Sequence, residues 1–115
     1  MKNANLIKFQ LTGDVKNEAE LTAWADVFNW HKDITLKTSK YGIFYGVCDI
    51  QKASLNPKAA IKEYVIWDKT NATVALIYFD GQADAEDRRN LKHYAYRQWN
   101  RLNAIRTDDD GKEIF

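Results

Sequence analysis

The sequence predicts an α+β domain: a single mixed or antiparallel sheet of about five strands with two long helices and one short helix, in the order β-α-β-β-α-β-β-α and compatible with a ferredoxin-like arrangement. Three observations carry this expectation. Apolar and polar residues alternate over Leu6 to Thr12 and Ile34 to Lys37, the period-two signature of half-buried strands. Aromatic and β-branched residues crowd three later runs, Tyr41 to Ile50, Tyr64 to Asp68 and Thr73 to Phe79, as sheet propensity favours. Helical spacing of apolar residues follows Asn17 and Asp84, two good N-cap residues. At 115 residues one domain, 1–115, is expected, with helices packed mostly on one face of the sheet.

In β1, Ile7, Phe9 and Leu11 share one face and Lys8, Gln10 and Thr12 the other, and Gly13-Asp14 ends the run. Asn17 and Glu20 have capping-box spacing, and Leu21, Trp24, Ala25 and Phe28 follow on one helical face, giving a helix that ends near Trp30 and His31. A hairpin across Ser39-Lys40 joins the next two strands. Asn56-Pro57 then opens a short helix carried by Ala59, Ala60 and Ile61, because proline at the first helical position gives up an N–H that lacks a partner anyway. Tyr64 to Asp68 and Thr73 to Phe79 are joined by a turn at Lys69 to Asn71, and the second strand, apolar on both faces, belongs inside the sheet. Asp84 caps the last helix, whose stripe of Leu91, Ala95, Gln98, Leu102 and Ile105 faces the sheet. Residues 107–115 form an acidic, frayed tail.

Composition narrows the function. A formal net charge of +1 does not suit a domain that binds polyanions over its whole surface. The single cysteine, Cys48, cannot close an internal disulfide, so a reducing, cytoplasmic setting is expected. The first residues include Asn3, Asn5 and Lys8 where a signal peptide needs an apolar stretch. The longest apolar run, Val74 to Phe79, is far short of the roughly 20 residues that span a bilayer, so no membrane association is expected. Asn71-Ala72-Thr73 fits a glycosylation acceptor but is read as a turn in this setting.

Chemistry-bearing groups are sparse, and no catalytic residue, metal site or cofactor is assigned. Cys48 lies in a β run without a flanking cation to form a thiolate, so it reads as a small buried hydrophobe. His31 suits a helix C-terminus, while His93, sixty-two positions away, sits on the polar face of the last helix. Gly42 and Gly46 bracket three apolar residues with no following Gly-Lys-Ser/Thr, so they relieve crowding or mark a bulge. Asp49, Asp68 and Asp80 end strands, where aspartate is ordinarily a turn residue.

The balanced total conceals an asymmetry. Arg88, Arg89, Lys92, Arg97, Arg101 and Arg106 occur with no acid between them, and they include all five arginines of the chain. Arg89, Lys92, His93, Tyr96, Arg97 and Asn100 fall opposite the apolar stripe, and Arg101 adjoins them. Four Trp, six Tyr and five Phe exceed what the core is expected to absorb, so Tyr45 and Trp67 are expected to join this surface. Arginine and aromatic anchors dominate protein interfaces. The leading expectation is therefore a small non-catalytic binding protein that docks mainly on another protein and occludes it sterically, as compact inhibitors, immunity proteins and phage or plasmid accessory proteins of similar size do. The alternative is a single-stranded RNA or DNA binder that neutralises phosphates and stacks bases on aromatics. Homodimerisation through an exposed edge strand or an aromatic patch is a further expectation.

Overall fold

The computed structural model describes residues 3–27, 34–48 and 61–105. After a 3-10 turn at Ala4–Leu6, the elements are β1 (Ile7–Gly13), α1 (Glu18–Val27), β2 (Ile34–Ser39), β3 (Gly42–Cys48), β4 (Ile61–Asp68), β5 (Thr73–Phe79) and α2 (Ala85–Ile105). All five strands join one sheet in the order β1-β5-β4-β3-β2, with every neighbouring pair antiparallel. The α+β class and single antiparallel sheet agree with the sequence. The ferredoxin-like order is not adopted, because the strands do not interleave: β2 to β5 form a meander, and β1 closes against β5 at the far edge.

The expected placement of both helices on one face is also corrected. Tyr45, Val47, Val65, Trp67, Val74 and Leu76 on one sheet face pack with Val15, Leu21 and Trp24, in and just before α1. Phe44, Tyr64, Ile66, Ala75 and Ile77 on the other face pack with Leu91, Ala95 and Trp99 of α2. The reason is in the strands themselves. Both parities of β4 and β5 are apolar, so each face needs its own cover.

Local chemistry fixes the ends of the elements. The Glu20 N–H donates to Asn17 Oδ1 at 2.9 Å, and the Glu20 carboxylate accepts from the Lys16 N–H at 2.7 Å. In α2 the box is reciprocal: the Asp87 N–H donates to Asp84 Oδ1 at 2.8 Å and the Asp84 N–H donates to Asp87 Oδ2 at 3.1 Å, satisfying donors that the first helical turn leaves unpaired. The turn from β4 to β5 is tied by Asp68, which accepts from the N–H groups of Thr70 and Asn71 and from Asn71 Nδ2, so this strand-ending carboxylate is a turn residue. Gly42 opens β3 where a Cβ would collide with the Trp67 carbonyl oxygen. No other residue fits that crossing, in keeping with the crowding inferred from sequence.

Ile61, expected to end a short helix, instead begins β4, paired with Cys48. Asn56-Pro57 and the rest of that expected helix lie outside the described residues, as do Phe28, Trp30, His31, Asp49 and the acidic tail.

Candidate binding surface

Helix α2 separates two kinds of side chain along its 21 residues. Leu91, Ala95 and Trp99, spaced four apart, are buried against the sheet, with Tyr94, Tyr96 and Leu102 packed at their margin. Arg88, Arg89, Lys92, His93, Arg97, Asn100 and Arg101 are exposed. The basic face expected from the sequence is therefore a surface of the folded protein. Among the described residues, none of its five Lys and Arg side chains lies in an ion pair. Its acids stand at the helix start, Glu86 and Asp87, and Asp87 is only 3% exposed because its carboxylate is spent on the cap and accepts from Asn3 Nδ2 at 3.4 Å.

On the opposite face of the sheet, α1 carries Glu18, Glu20 and Asp26, all exposed, and no Lys or Arg. The two helices thus segregate charge across the sheet, acidic on one side and basic on the other. Sequence showed the basic cluster alone. That the acidic helix lies on the far side, and so does not neutralise it, depends on which face each helix covers.

The aromatic part of the expected surface is corrected. Trp67 is 1% exposed and Tyr45 8%, both in the layer beneath α1. Trp67 Nε1 donates to the Val15 carbonyl at 2.8 Å, which anchors the chain entering α1. Tyr96 is half-buried, its ring edge-on to Phe44 with centroids 4.9 Å apart. Phe44 in turn stacks with Trp99 at 5.9 Å and tilts against Tyr64 at 5.8 Å. A sheet covered on both faces absorbs more aromatic surface than one covered on a single face. Burial pushes the Tyr64 hydroxyl up to about 12, with Tyr96 adding to the shift, and burial followed by the nearby Glu18 carboxylate raises Tyr45.

Among the described residues no group of three or more His, Cys, Asp or Glu side chains converges on a common point, and no helix is long and apolar enough to cross a membrane. The feature that sequence reading missed is on β1. Among the described residues, Phe9, 43% exposed, and Leu11, 64% exposed, are the large apolar side chains left open, and with Ile66, Ala75, Gln98 and Leu102 they line a shallow cavity of about 120 Å³ at the side of α2. Their shared face was legible from alternation, but α2 lies over β4 and β5 and leaves the edge strand uncovered. No family model, curated protein or solved structure matches the chain.

Proposed function

We propose that this chain is a small non-catalytic binding protein that docks the exposed basic face of α2 on an acidic surface of another protein and acts by occluding it, in the manner of an inhibitor, immunity or accessory protein. The observation that carries the reading is the exposed row Arg88, Arg89, Lys92, Arg97 and Arg101, without a carboxylate partner among the described residues and on the side of the sheet away from the acidic α1. Opposed charge on two faces orients an approaching acidic partner as well as attracting it. Arginine adds planar, bidentate recognition of carboxylates.

Single-stranded nucleic acid is the second reading, favoured by the same basic row. It needs aromatic faces free for stacking. Tyr45 and Trp67 are buried and Tyr96 is packed on Phe44, so the protein partner is preferred.

The experiment is affinity capture from native lysate, with and without nuclease, using the natural chain and an Arg89→Glu/Arg97→Glu variant. A protein retained after nuclease treatment by the natural chain and lost from the variant supports the reading. Capture that disappears with nuclease, or that ignores the charge reversal, overturns it.

A further inference from the structure

We propose that the outer edge of β1 is a self-pairing surface, on which a second copy of this chain adds its own β1 antiparallel to form a continuous ten-stranded sheet. The inference is independent of what α2 binds.

Strand β1 ends the sheet, and its hydrogen-bonding pattern shows which backbone groups it leaves open. The Leu6 carbonyl accepts from the Asp80 N–H at 2.8 Å, one step beyond the Ile7–Phe79 pair. Because antiparallel bonding alternates, Lys8, Gln10 and Thr12 direct their N–H and C=O groups toward β5. Ile7, Phe9, Leu11 and Gly13 direct theirs outward. Nothing among the described residues pairs with that row.

The two sheet edges are treated differently. At β2 the register shifts by a bulge between Thr35 and Lys37, a device that disrupts edge-to-edge pairing. Strand β1 runs seven residues without a register shift against β5, contains no proline, and carries Phe9 and Leu11 exposed. An unbroken edge with exposed apolar side chains is a template for another strand.

The sequence of β1 is complementary to itself. The antiparallel register that uses the whole strand centres on Gln10, setting Gln10 against Gln10 of the second copy and Phe9 against its Leu11. Ile7 then faces Gly13, and Lys8 faces Thr12, so no like charges meet. The bonded pairs in this register are the odd-numbered residues, the ones whose backbone groups point outward. On the α2 side, two Phe9 and two Leu11 side chains form one apolar cluster across the dyad. That dyad is normal to the sheet, so both α2 helices lie on the same side and the dimer presents two basic faces together. A single strand pair is at the small end of specific interfaces, so the dimer dissociates on dilution.

The test combines association with register. In a Cys48→Ser background, Gln10→Cys places two thiols about 4.5 Å apart at Cα across a non-bonded pair, within disulfide reach. Thr12→Cys places them about 13 Å apart, four residues of strand. Mild oxidation is expected to crosslink Gln10→Cys and leave Thr12→Cys monomeric. Sedimentation equilibrium of the natural chain is expected to give a concentration-dependent dimer. Leu11→Lys, at an exposed site, weakens it by about tenfold or more, whereas Thr38→Lys on the β2 edge leaves it unchanged. A monomer throughout the concentration range, equal crosslinking of both cysteine variants, or a Leu11→Lys chain that dimerises like the natural one overturns the proposal.

Discussion

The two helices cover opposite faces of one sheet by different means. Helix α1 has ten residues and buries chiefly Leu21 and Ala25, with Trp24 at the margin. It needs help from Val15 in the preceding loop and from Trp67, whose indole binds the Val15 carbonyl. Helix α2 is twice as long and covers β4 and β5 on its face with a row of Leu91, Ala95 and Trp99. A short helix spends nearly all its apolar surface, and part of a loop, on closing the core. A long helix meets the same need with one stripe and leaves a broad face open to other use, here a row of cations.

The largest effects should come from the core beneath each helix. Trp67→Ala removes the anchor of the α1 side together with its hydrogen bond, and a loss of about 3–5 kcal/mol in urea unfolding is expected. Leu91→Ala, which opens a hole under a helix held along its whole length, is expected to cost about 2–4 kcal/mol. If Leu91→Ala proved the more damaging, the idea that the α1 side hangs on one residue would fail. Trp67→Phe narrows the question, since it keeps most of the ring but leaves the Val15 carbonyl without its donor, at about 1–3 kcal/mol.

Each face also holds a tyrosine under its helix, Tyr45 below α1 and Tyr64 below α2. Burial raises both, Tyr64 to about 12. A phenol raised in the folded state favours folding while it stays neutral. Its contribution is therefore intact below the unfolded value near pH 10, and it is lost as pH climbs from about 10 through 12. Over that window the Tyr64 linkage is worth up to about 3 kcal/mol. Urea titrations at pH 8 and pH 11 should show a smaller alkaline loss for Tyr64→Phe than for the natural chain. An equal loss would mean that Tyr64 does not limit alkaline stability.

Helix caps should follow at about 1–2 kcal/mol, and unequally. Asp87→Ala removes a buried carboxylate that accepts from the Asp84 N–H and from Asn3 Nδ2, so about 2 kcal/mol is expected. Asn17→Ala removes an exposed cap of α1, and about 1 kcal/mol is expected. Chemical denaturation of the two variants side by side measures the difference.

How far these contrasts were legible in sequence depends on the range of the signal. Caps are local, and Asn17–Glu20 and Asp84–Asp87 could be placed from spacing alone. Strand alternation is local too, and it correctly grouped Ile7, Phe9 and Leu11. Which face a helix covers is a long-range choice, and that choice decided where Tyr45 and Trp67 went. It also decided the exposure of Phe9 and Leu11, because alternation says which side chains share a face but not whether anything lies over it. The sequence stripe of α2 runs through Gln98, yet the buried residue is Trp99; the Leu91, Ala95, Trp99 row at four-residue steps is equally present in the sequence. Sheet order is legible only where it is local: the β2–β3 hairpin, the β4–β5 turn and the interior place of β5 follow from sequence, whereas the pairing of β1 with β5 does not, since β1 and β2 are neighbours along the chain and occupy opposite edges.

The smallest effect on stability should come from the charged faces, where the contrast between the helices is sharpest for function. Arg89→Glu/Arg97→Glu changes two exposed side chains with no ion-pair partner among the described residues, so urea stability should move by no more than about 0.5 kcal/mol. Glu18→Lys on α1 is expected to be similarly mild in stability, though it replaces an acid at a helix N-terminus, where negative charge is favoured. Binding should respond in opposite senses. If an acidic protein is drawn to α2, reversing Arg89 and Arg97 slows association and reduces its salt dependence, while Glu18→Lys on the far face leaves the docking contacts intact and raises the association rate through net charge. Stopped-flow association at two ionic strengths separates these cases. Equal sensitivity to reversal on either face would mean that only total charge matters, and the segregation of acid and base across the sheet would then have no part in recognition.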